Sequence, residues 1–311
     1  MNRSFSLKSG CALLLLLCLT GSSFGWNKPT HMAIGAIAYR DMLAKSPKQL
    51  VRVLAILRQH PDMTTRWAPM LRDSSLTENE KNEYLFMLAA RWPDDIRGQK
   101  NPNDHPSWHY INYVYNPTQG VARTDTTLAT GENILQAFAL NRQILTSNAP
   151  DSTKAIALCW LFHLAGDVHM PLHTAALVSP QFPDGDRGGN LFKIKVSMSN
   201  PTLNLHAFWD GMLLGTDTYR AADQLAIQLG QAHTRRQVPH RRSTDIGEWS
   251  RESFDLARNL AYKQGTLTAG TGDNGVVLPS DYVSTVKPIA EQQVAFSGHR
   301  LATVLRQEVR E

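Results

Sequence analysis

Apolar residues recur at three- and four-residue intervals in eight stretches of the chain: 31–43 (HMAIGAIAYRDML), 47–59 (PKQLVRVLAILRQ), 82–92 (NEYLFMLAARW), 133–145 (NILQAFALNRQIL), 153–169 (TKAIALCWLFHLAGDVH), 221–230 (AADQLAIQLG), 250–264 (SRESFDLARNLAYKQ) and 288–309 (PIAEQQVAFSGHRLATVLRQEV). That spacing returns a side chain to one face at each turn of an α-helix, so most of the chain is expected to be helical. One stretch differs: LFKIKVSM, 191–198, alternates, and Ser199-Asn200-Pro201 turns it towards TLNLH, which predicts a single small β-hairpin. The longest irregular pieces, 98–108, 176–190 and 265–281, are rich in Gly, Pro, Asp or Asn. No repeat or low-complexity linker divides the chain. The expected fold class is all-α, a single multi-helical domain over 26–311 with one small β-hairpin.

Residues 1–25 fall outside this scheme. Arg3 and Lys8 precede CALLLLLCL, and the small residues Ser23 and Gly25 precede Trp26, the arrangement of a secretory signal peptide cleaved after Gly25. Its nine-residue apolar segment is well short of the roughly 20 residues that a membrane-spanning helix needs, and no later stretch is longer without charge, so no membrane span is expected. An exported protein, periplasmic or extracellular, is the expectation; lipid attachment at Cys18 is a second route, disfavoured by the Leu-Leu-Leu before it. Cleavage would leave 286 residues and lower the formal net charge from +5 to +3, because Arg3 and Lys8 depart. A balance that mild defines no partner. Cleavage would also leave Cys159 as the one cysteine of three, which excludes an intramolecular disulfide and requires stability from a large core or from metals. Within ALCWLF, Cys159 reads as a buried thiol.

The polar residues that interrupt the apolar faces are of a restricted kind. In HLAGDVHMPLH, 163–173, His163 and Asp167 stand four apart, so they share a helix face and can reach one ion together. His173 lies about 80° further round an ideal helix, and Pro171 can re-aim it. The same four-residue spacing returns as His206 and Asp210 in LHAFWDG, just after the expected hairpin. His109 sits between Trp108 and Tyr110, and Asp94 and Asp95 end the apolar helix in RWPDDIR, with Arg97 following. Taken singly, each has a plain structural explanation: a core histidine with one hydrogen bond, or an aspartate capping a helix. Together they are harder to explain so, because carboxylates on apolar faces are costly unless paired, and here they come with His rather than with Lys or Arg. Neutral imidazole with carboxylate is a zinc ligand set. A closed structural site usually uses cysteine, whereas N and O ligands with a vacant position suit a hydrolytic centre. The candidates also exceed what one four-coordinate ion can use.

In order along the chain, WNKPTH (26–31), WPDDIR (92–97), WHYIN (108–112), HLAGDVHMPLH, DRGGN (186–190), LHAFWD (205–210) and the final YVSTVKPIAEQQVAFSGHRLA resemble the three-zinc, single-strand-specific nucleases of fungi and plants, the S-one/P-one family that includes plant nuclease I. The resemblance implies a multi-helical fold of the phospholipase C/nuclease type and three Zn2+ as cofactors. It also implies that signal removal exposes Trp26, whose α-amino nitrogen and carbonyl oxygen bind zinc. An α-amino group, with a pKa of about 7.7, supplies a neutral nitrogen at modest cost. Carried over residue by residue, Asp94, His109, His163 and Asp167 would hold one ion; Trp26, His31 and the shared Asp167 a second close to it; His173, His206 and Asp210 the third.

By the same resemblance the substrates are single-stranded DNA and RNA, cut to 5′-phosphorylated products, and 3′-nucleotides, which lose their phosphate. A hydroxide activated in the zinc cluster would attack phosphorus, with Asp94 and Asp167 in the catalytic centre and Arg97 gripping a phosphate oxygen. Tyr110 would stack on a base. Asn112 stands where many members have an aspartate that accepts from the base edge, and an amide both donates and accepts, so base preference stays open. Gly188, Gly189 and Asn190 match a glycine-rich turn beside the base pocket, although DGDRGGN alone reads as a surface turn before a strand. Asp95 and His169 match no ligand. RRQVPHRR, 235–242, reads as a solvated basic loop or as an attractor of polyanions. The absence of disulfides, which plant members use, suggests a bacterial member, expected to be a monomer. Two other functions fit the same residues: a zinc-dependent phospholipase C-like phosphodiesterase, against which WPDDIR, WHYIN and GGN argue, and a non-catalytic helical module with structural zinc.

Overall fold

The computed structural model describes residues 26–119, 122–127, 132–213 and 215–309. The expected signal peptide, 1–25, lies outside the described residues. Among these there are ten α-helices: α1 (Lys28–Lys45), α2 (Pro47–Leu57), α3 (Ala68–Leu71), α4 (Glu78–Ile96), α5 (Ile134–Thr146), α6 (Asp151–Asp167), α7 (Leu205–Asp210), α8 (Tyr219–Ala232), α9 (Ile246–Leu256) and α10 (Tyr282–Glu308). Every stretch with helical spacing falls on one of them, except that 250–264 leaves α9 after Leu256 and continues as a π-helical turn, Ala257–Ala261, and a 3-10 turn, Lys263–Gly265. α3 and α7 are too short to show a period. Two prolines lie inside helices, Pro93 in α4 and Pro288 in α10.

Two small sheets accompany the helices. β1 (Tyr113–Tyr115) pairs antiparallel with β2 (Ala122–Thr127) and parallel with β3 (Ala175–Leu177). This sheet has no counterpart in the sequence pattern, because β1 and β3 have only three residues each and the sequence of β2, ARTDTT, carries no apolar alternation. The predicted hairpin forms between β4 (Lys193–Lys195) and β5 (Leu203–Asn204), with Ile194 opposite Leu203, and β6 (Val276–Val277) adds to it in parallel.

α6 is buried all round from Ala157 to Asp167, as expected of a helix without a polar face. α1, α2, α4, α5 and α10 surround it. One apolar cluster extends from Trp26 to Val309 and includes Trp67, Trp92, Trp160, Trp209 and Trp249. Truncating one such aromatic to Ala costs about 3–5 kcal/mol, so each contributes substantially to a core that has no cross-link among the described residues. Cys159 is free and buried within it, and burial pushes its thiol well above the usual range. Among the described residues no helix is long and apolar enough to cross a membrane.

Candidate metal centre

The site is assembled from helix ends. Asn27 caps α1, its side chain accepting from the Thr30 amide at 3.1 Å, and places His31 in the first turn. Asp94 lies in the last turn of α4, while His163 and Asp167 lie one turn apart on α6. His109 and His173 end the short 3-10 turns Pro106–His109 and Pro171–His173. The second turn is the consequence of Pro171, which swings His173 out of the helical line. His206 and Asp210 lie on α7, and the Asn27 amide donates to the Asp210 carbonyl at 3.2 Å, tying Trp26-Asn27 to that helix. Every one of these eight histidines and aspartates is at most 5 % exposed, and Trp26 is fully buried.

Their donor atoms fall into three groups, each within 4.8 Å: His31, His163 and Asp167; Asp94, His109 and His163; His173, His206 and Asp210. The third has the members expected of it. The first two touch through His163 and Asp167. Asp167 Oδ1 is 3.3 Å from His31 Nε2, while Oδ2 is 2.9 Å from His109 Nδ1 and 3.1 Å from His163 Nε2. Asp167 therefore faces both groups. Asp94 Oδ1 is 3.7 Å from His163 Nε2.

The donor set fits divalent cations. His163 Nδ1 donates to the Ala90 carbonyl at 2.9 Å, His206 Nδ1 to the Gly188 carbonyl at 2.6 Å, and His173 Nδ1 to the His109 carbonyl. With each Nδ1 proton held in this way, Nε2 is the atom that presents a lone pair when the ring is neutral. His173 and His206 aim these lone pairs at each other across 3.2 Å, and His163 Nε2 lies 3.0 Å from His109 Nδ1. Facing lone pairs repel unless a proton or cation lies between them. Ligand atoms held about 2.0–2.2 Å from one tetrahedral zinc are themselves about 3.3 Å apart. Among the described residues, neither Asp94 oxygen has a hydrogen-bond partner, nor do Asp210 Oδ1 and His109 Nε2. Buried polar atoms without partners are costly, and cations of the right size remove that cost.

Charge in the cluster points the same way. Burial, then His163, lowers His31, while burial and Arg97 hold His109 down at about 3. Both are thus neutral, as a metal ligand must be. Burial opposes ionisation of Asp167, but His163, His173 and His109 outweigh it and hold the carboxyl well below the usual range. Burial raises Asp210, and repulsion from Asp167 and Asp94 raises it further, well above that range. Three carboxylates gathered this closely call for positive charge.

The residues expected to meet substrate surround this cluster. Arg97 follows α4, with Nη2 3.8 Å from Asp94 Oδ1 and 16 % of its side chain exposed. Tyr110 and Asn112 are half-buried beside His109. Asn112 has φ +54°, between amides of Ile111 and Tyr113 that donate to His173 and Thr174 at 2.9 and 2.8 Å. Asn enters the left-handed region more readily than most residues, so the backbone gives a reason for Asn112 beside any role in base recognition. Gly188 and Gly189 have φ +63° and +84°; a Cβ would stand 2.4 Å from the Leu172 carbonyl oxygen at the first and 3.2 Å from the His206 amide nitrogen at the second. These glycines are needed where the turn packs against the third group. Asn190 Nδ2 donates to the Arg187 carbonyl at 2.8 Å.

Sequence reasoning missed Asp186, which is fully buried. It accepts from the Leu177 amide at 2.9 Å, the Tyr262 hydroxyl at 2.8 Å and the amides of Gly188 and Gly189; burial pushes its carboxyl up to about 6 against these donors. Nothing within DGDRGGN separates a buried aspartate from one in a surface turn. His169 and Asp95, which match no ligand, are engaged elsewhere. His169 Nδ1 donates to Ala165 at 2.7 Å and Nε2 accepts from Arg300 at 2.8 Å, while Asp95 pairs with Lys28 and Arg91 at 2.8 and 2.9 Å. In the basic loop Arg235 pairs with Asp41 at 2.9 Å, whereas Arg236, Arg241 and Arg242 are exposed.

Helices that gather buried imidazoles and carboxylates at ligand spacing define a class, helical proteins with a buried site able to hold metal ions. Within that class the family model for S1/P1 Nuclease matches residues 26–310, and the chain belongs to this family. It is 28 % identical to Endonuclease 5 of Arabidopsis thaliana over 320 aligned positions, covering 94 % of each chain. With Nuclease P1 of Penicillium citrinum it shares 26 % identity over 254 positions, 76 % of this chain and 87 % of the relative. Endonuclease 3 of Arabidopsis thaliana is 32 % identical over 163 positions, a match that spans 48 % of this chain and 50 % of the relative.

Proposed function

We propose that the chain is an exported, zinc-dependent endonuclease, a bacterial member of its family acting as a monomer. It hydrolyses single-stranded DNA and RNA to 5′-phosphorylated products and removes the phosphate of 3′-nucleotides. The observation that carries this reading is the convergence of eight buried histidines and aspartates into three groups at ligand spacing. One zinc is assigned to Asp94, His109, His163 and Asp167, a second to Trp26, His31 and Asp167, and a third to His173, His206 and Asp210. The family match begins at Trp26, the residue that cleavage after Gly25 would expose. The bond from Asn27 to Asp210 supports a role for that terminus, because it holds the start of the mature chain against a ligand helix.

Bound zinc supplies a nucleophile from water near neutral pH and draws charge from phosphate oxygens. The chain's own residues do the rest. Asp167, facing two groups at once, keeps them at a fixed separation. Arg97, at the rim, donates to a phosphate oxygen, a charge-assisted bond that strengthens as negative charge develops there. Tyr110 offers a face on which any base can stack, and the Asn112 and Asn190 amides meet base edges as donors or acceptors. Trp160, T-shaped against His109 with centroids 5.3 Å apart, walls one side of the cluster with apolar surface.

One preparation assayed on single-stranded DNA, RNA, 3′-AMP and phosphatidylcholine vesicles tests the reading. Hydrolysis of the first three is expected. Hydrolysis of the lipid alone would replace the nuclease by a phospholipase C-like enzyme, and bound zinc with no hydrolysis would make the metals structural.

A further inference from the structure

We infer that Asp186 is a positioning residue for the third ligand group, acting through the Gly188–Gly189 turn on His206 and His173. The inference rests on the proposed reading that His173, His206 and Asp210 hold a cation.

His206 is aimed by its far nitrogen. Nδ1 donates to the Gly188 carbonyl at 2.6 Å, which turns Nε2 towards His173 Nε2, 3.2 Å away. That carbonyl lies within three successive residues at positive φ, Arg187, Gly188 and Gly189, a conformation that the glycines adopt readily but do not by themselves hold. Asp186 holds it. Its Oδ2 accepts from the Tyr262 hydroxyl at 2.8 Å, its Oδ1 accepts from the Leu177 amide at 2.9 Å, and the Gly188 and Gly189 amides converge on the same carboxylate. The Asp186 amide closes the ring by donating to the Leu177 carbonyl at 3.0 Å.

On its other side the turn lies against the residue before His173. A Cβ on Gly188 would stand 2.4 Å from the Leu172 carbonyl oxygen, so the turn has no room to relax in that direction. A single turn is thus wedged between both histidines of the group, and a small displacement of it changes their mutual aim. Asp186 is not itself a ligand, since its oxygens are engaged by these uncharged donors and it belongs to none of the three groups. A carboxylate buried among uncharged donors is costly to maintain compared with an apolar side chain. Control of the turn accounts for its presence.

The test compares wild type with Asp186→Asn and Tyr262→Phe. Each is stripped of metal, titrated with zinc by calorimetry, and assayed for kcat and KM on a single-stranded oligonucleotide. Asp186→Asn turns an NH2 group towards donors, and Tyr262→Phe removes one donor. In Asp186→Asn the first two zinc equivalents are expected to bind as in wild type and the last about 10–100-fold more weakly. kcat should fall with KM little changed, and excess zinc should restore part of the lost rate. Tyr262→Phe should give a smaller loss, again confined to the last equivalent.

Equal weakening of all three equivalents together with a lower melting temperature, unrelieved by excess zinc, would mark a merely structural role and overturn the inference. Wild-type affinity for the last equivalent in both variants would overturn it too. If Asp186→Asn does not fold, Tyr262→Phe decides: a loss confined to the last equivalent supports the inference and no loss overturns it. A wild-type protein that takes up no third equivalent defeats the ligand reading itself, and this inference with it.

Discussion

Gly166 lies between His163 and Asp167 on α6, where helix propensity alone favours alanine. In an unhindered helix Gly166→Ala would gain about 0.5–1 kcal/mol. The packing reverses the sign. A Cβ at this position would stand 2.8 Å from both Cε1 and Nδ1 of His31 and 3.1 Å from Ile34 Cδ1. His31 has little room to withdraw, because its ring is fully buried and stacked on His163 with centroids 3.9 Å apart. Overpacking a tight core costs about 1–3 kcal/mol, so the expected net change is a destabilisation on the order of 1 kcal/mol. The larger consequence is chemical. Relief of the clash displaces His31 relative to Asp167 Oδ1, now 3.3 Å from its Nε2, and a ligand moved by a fraction of an ångström loses about 10–100-fold in metal affinity or rate. Urea denaturation of the zinc-loaded variant gives the first quantity, and kcat/KM on a single-stranded oligonucleotide gives the second. A variant more stable than wild type with undiminished activity would refute the reasoning, since propensity would then outweigh the contact with His31.

Asp167→Ala should abolish activity and lower the melting temperature together, because both neighbouring groups lose a ligand; full activity in that variant would remove the shared-carboxylate assignment. Retaining a single extra residue before Trp26 should disable the enzyme, which a comparison of correctly processed protein with a form carrying an initiator Met will check. Far from the site, Asp41 accepts from His299 at 2.7 Å, Arg306 at 2.8 Å and Arg235 at 2.9 Å. Asp41→Asn should therefore cost about 3–5 kcal/mol in chemical denaturation and leave kcat unchanged. Burial raises the Asp41 carboxyl, but these partners outweigh it and hold the group at about 2, below its ordinary 3.8. A lowered folded value means that this stabilisation is full above about pH 4 and disappears as pH falls through about 2. The stability gap between wild type and Asp41→Asn should shrink across that window; a gap constant down to pH 2 would contradict the assignment.

The helices and the His-Asp pairs were legible because their determinants are local. Four-residue spacing places His163 over Asp167, and His206 over Asp210, whatever the rest of the chain does. What joins those pairs is not local. His31 meets Asp167 only because α1 packs against α6 at Gly166, and no pattern around either residue announces that contact. The β1–β3 pairing joins Tyr113–Tyr115 to Ala175–Leu177 across the whole of α5 and α6, in strands too short to alternate. Asp186 looked like a surface turn because burial of a polar residue depends on what folds over it, here Tyr262 from beyond α9. In WHYIN, Asn112 reads only as a partner for a base; its positive φ, a property of the backbone between two bonds to the His173 turn, is not visible there.

Zinc titration of the metal-free mature protein, with cleavage of a single-stranded oligonucleotide measured at each addition, tests most directly whether the buried histidines and aspartates form a hydrolytic zinc cluster. No cleavage is expected without metal, and the full rate is expected when three zinc ions are bound per chain. An undiminished rate in the metal-free protein, or no cleavage at zinc saturation, would contradict it.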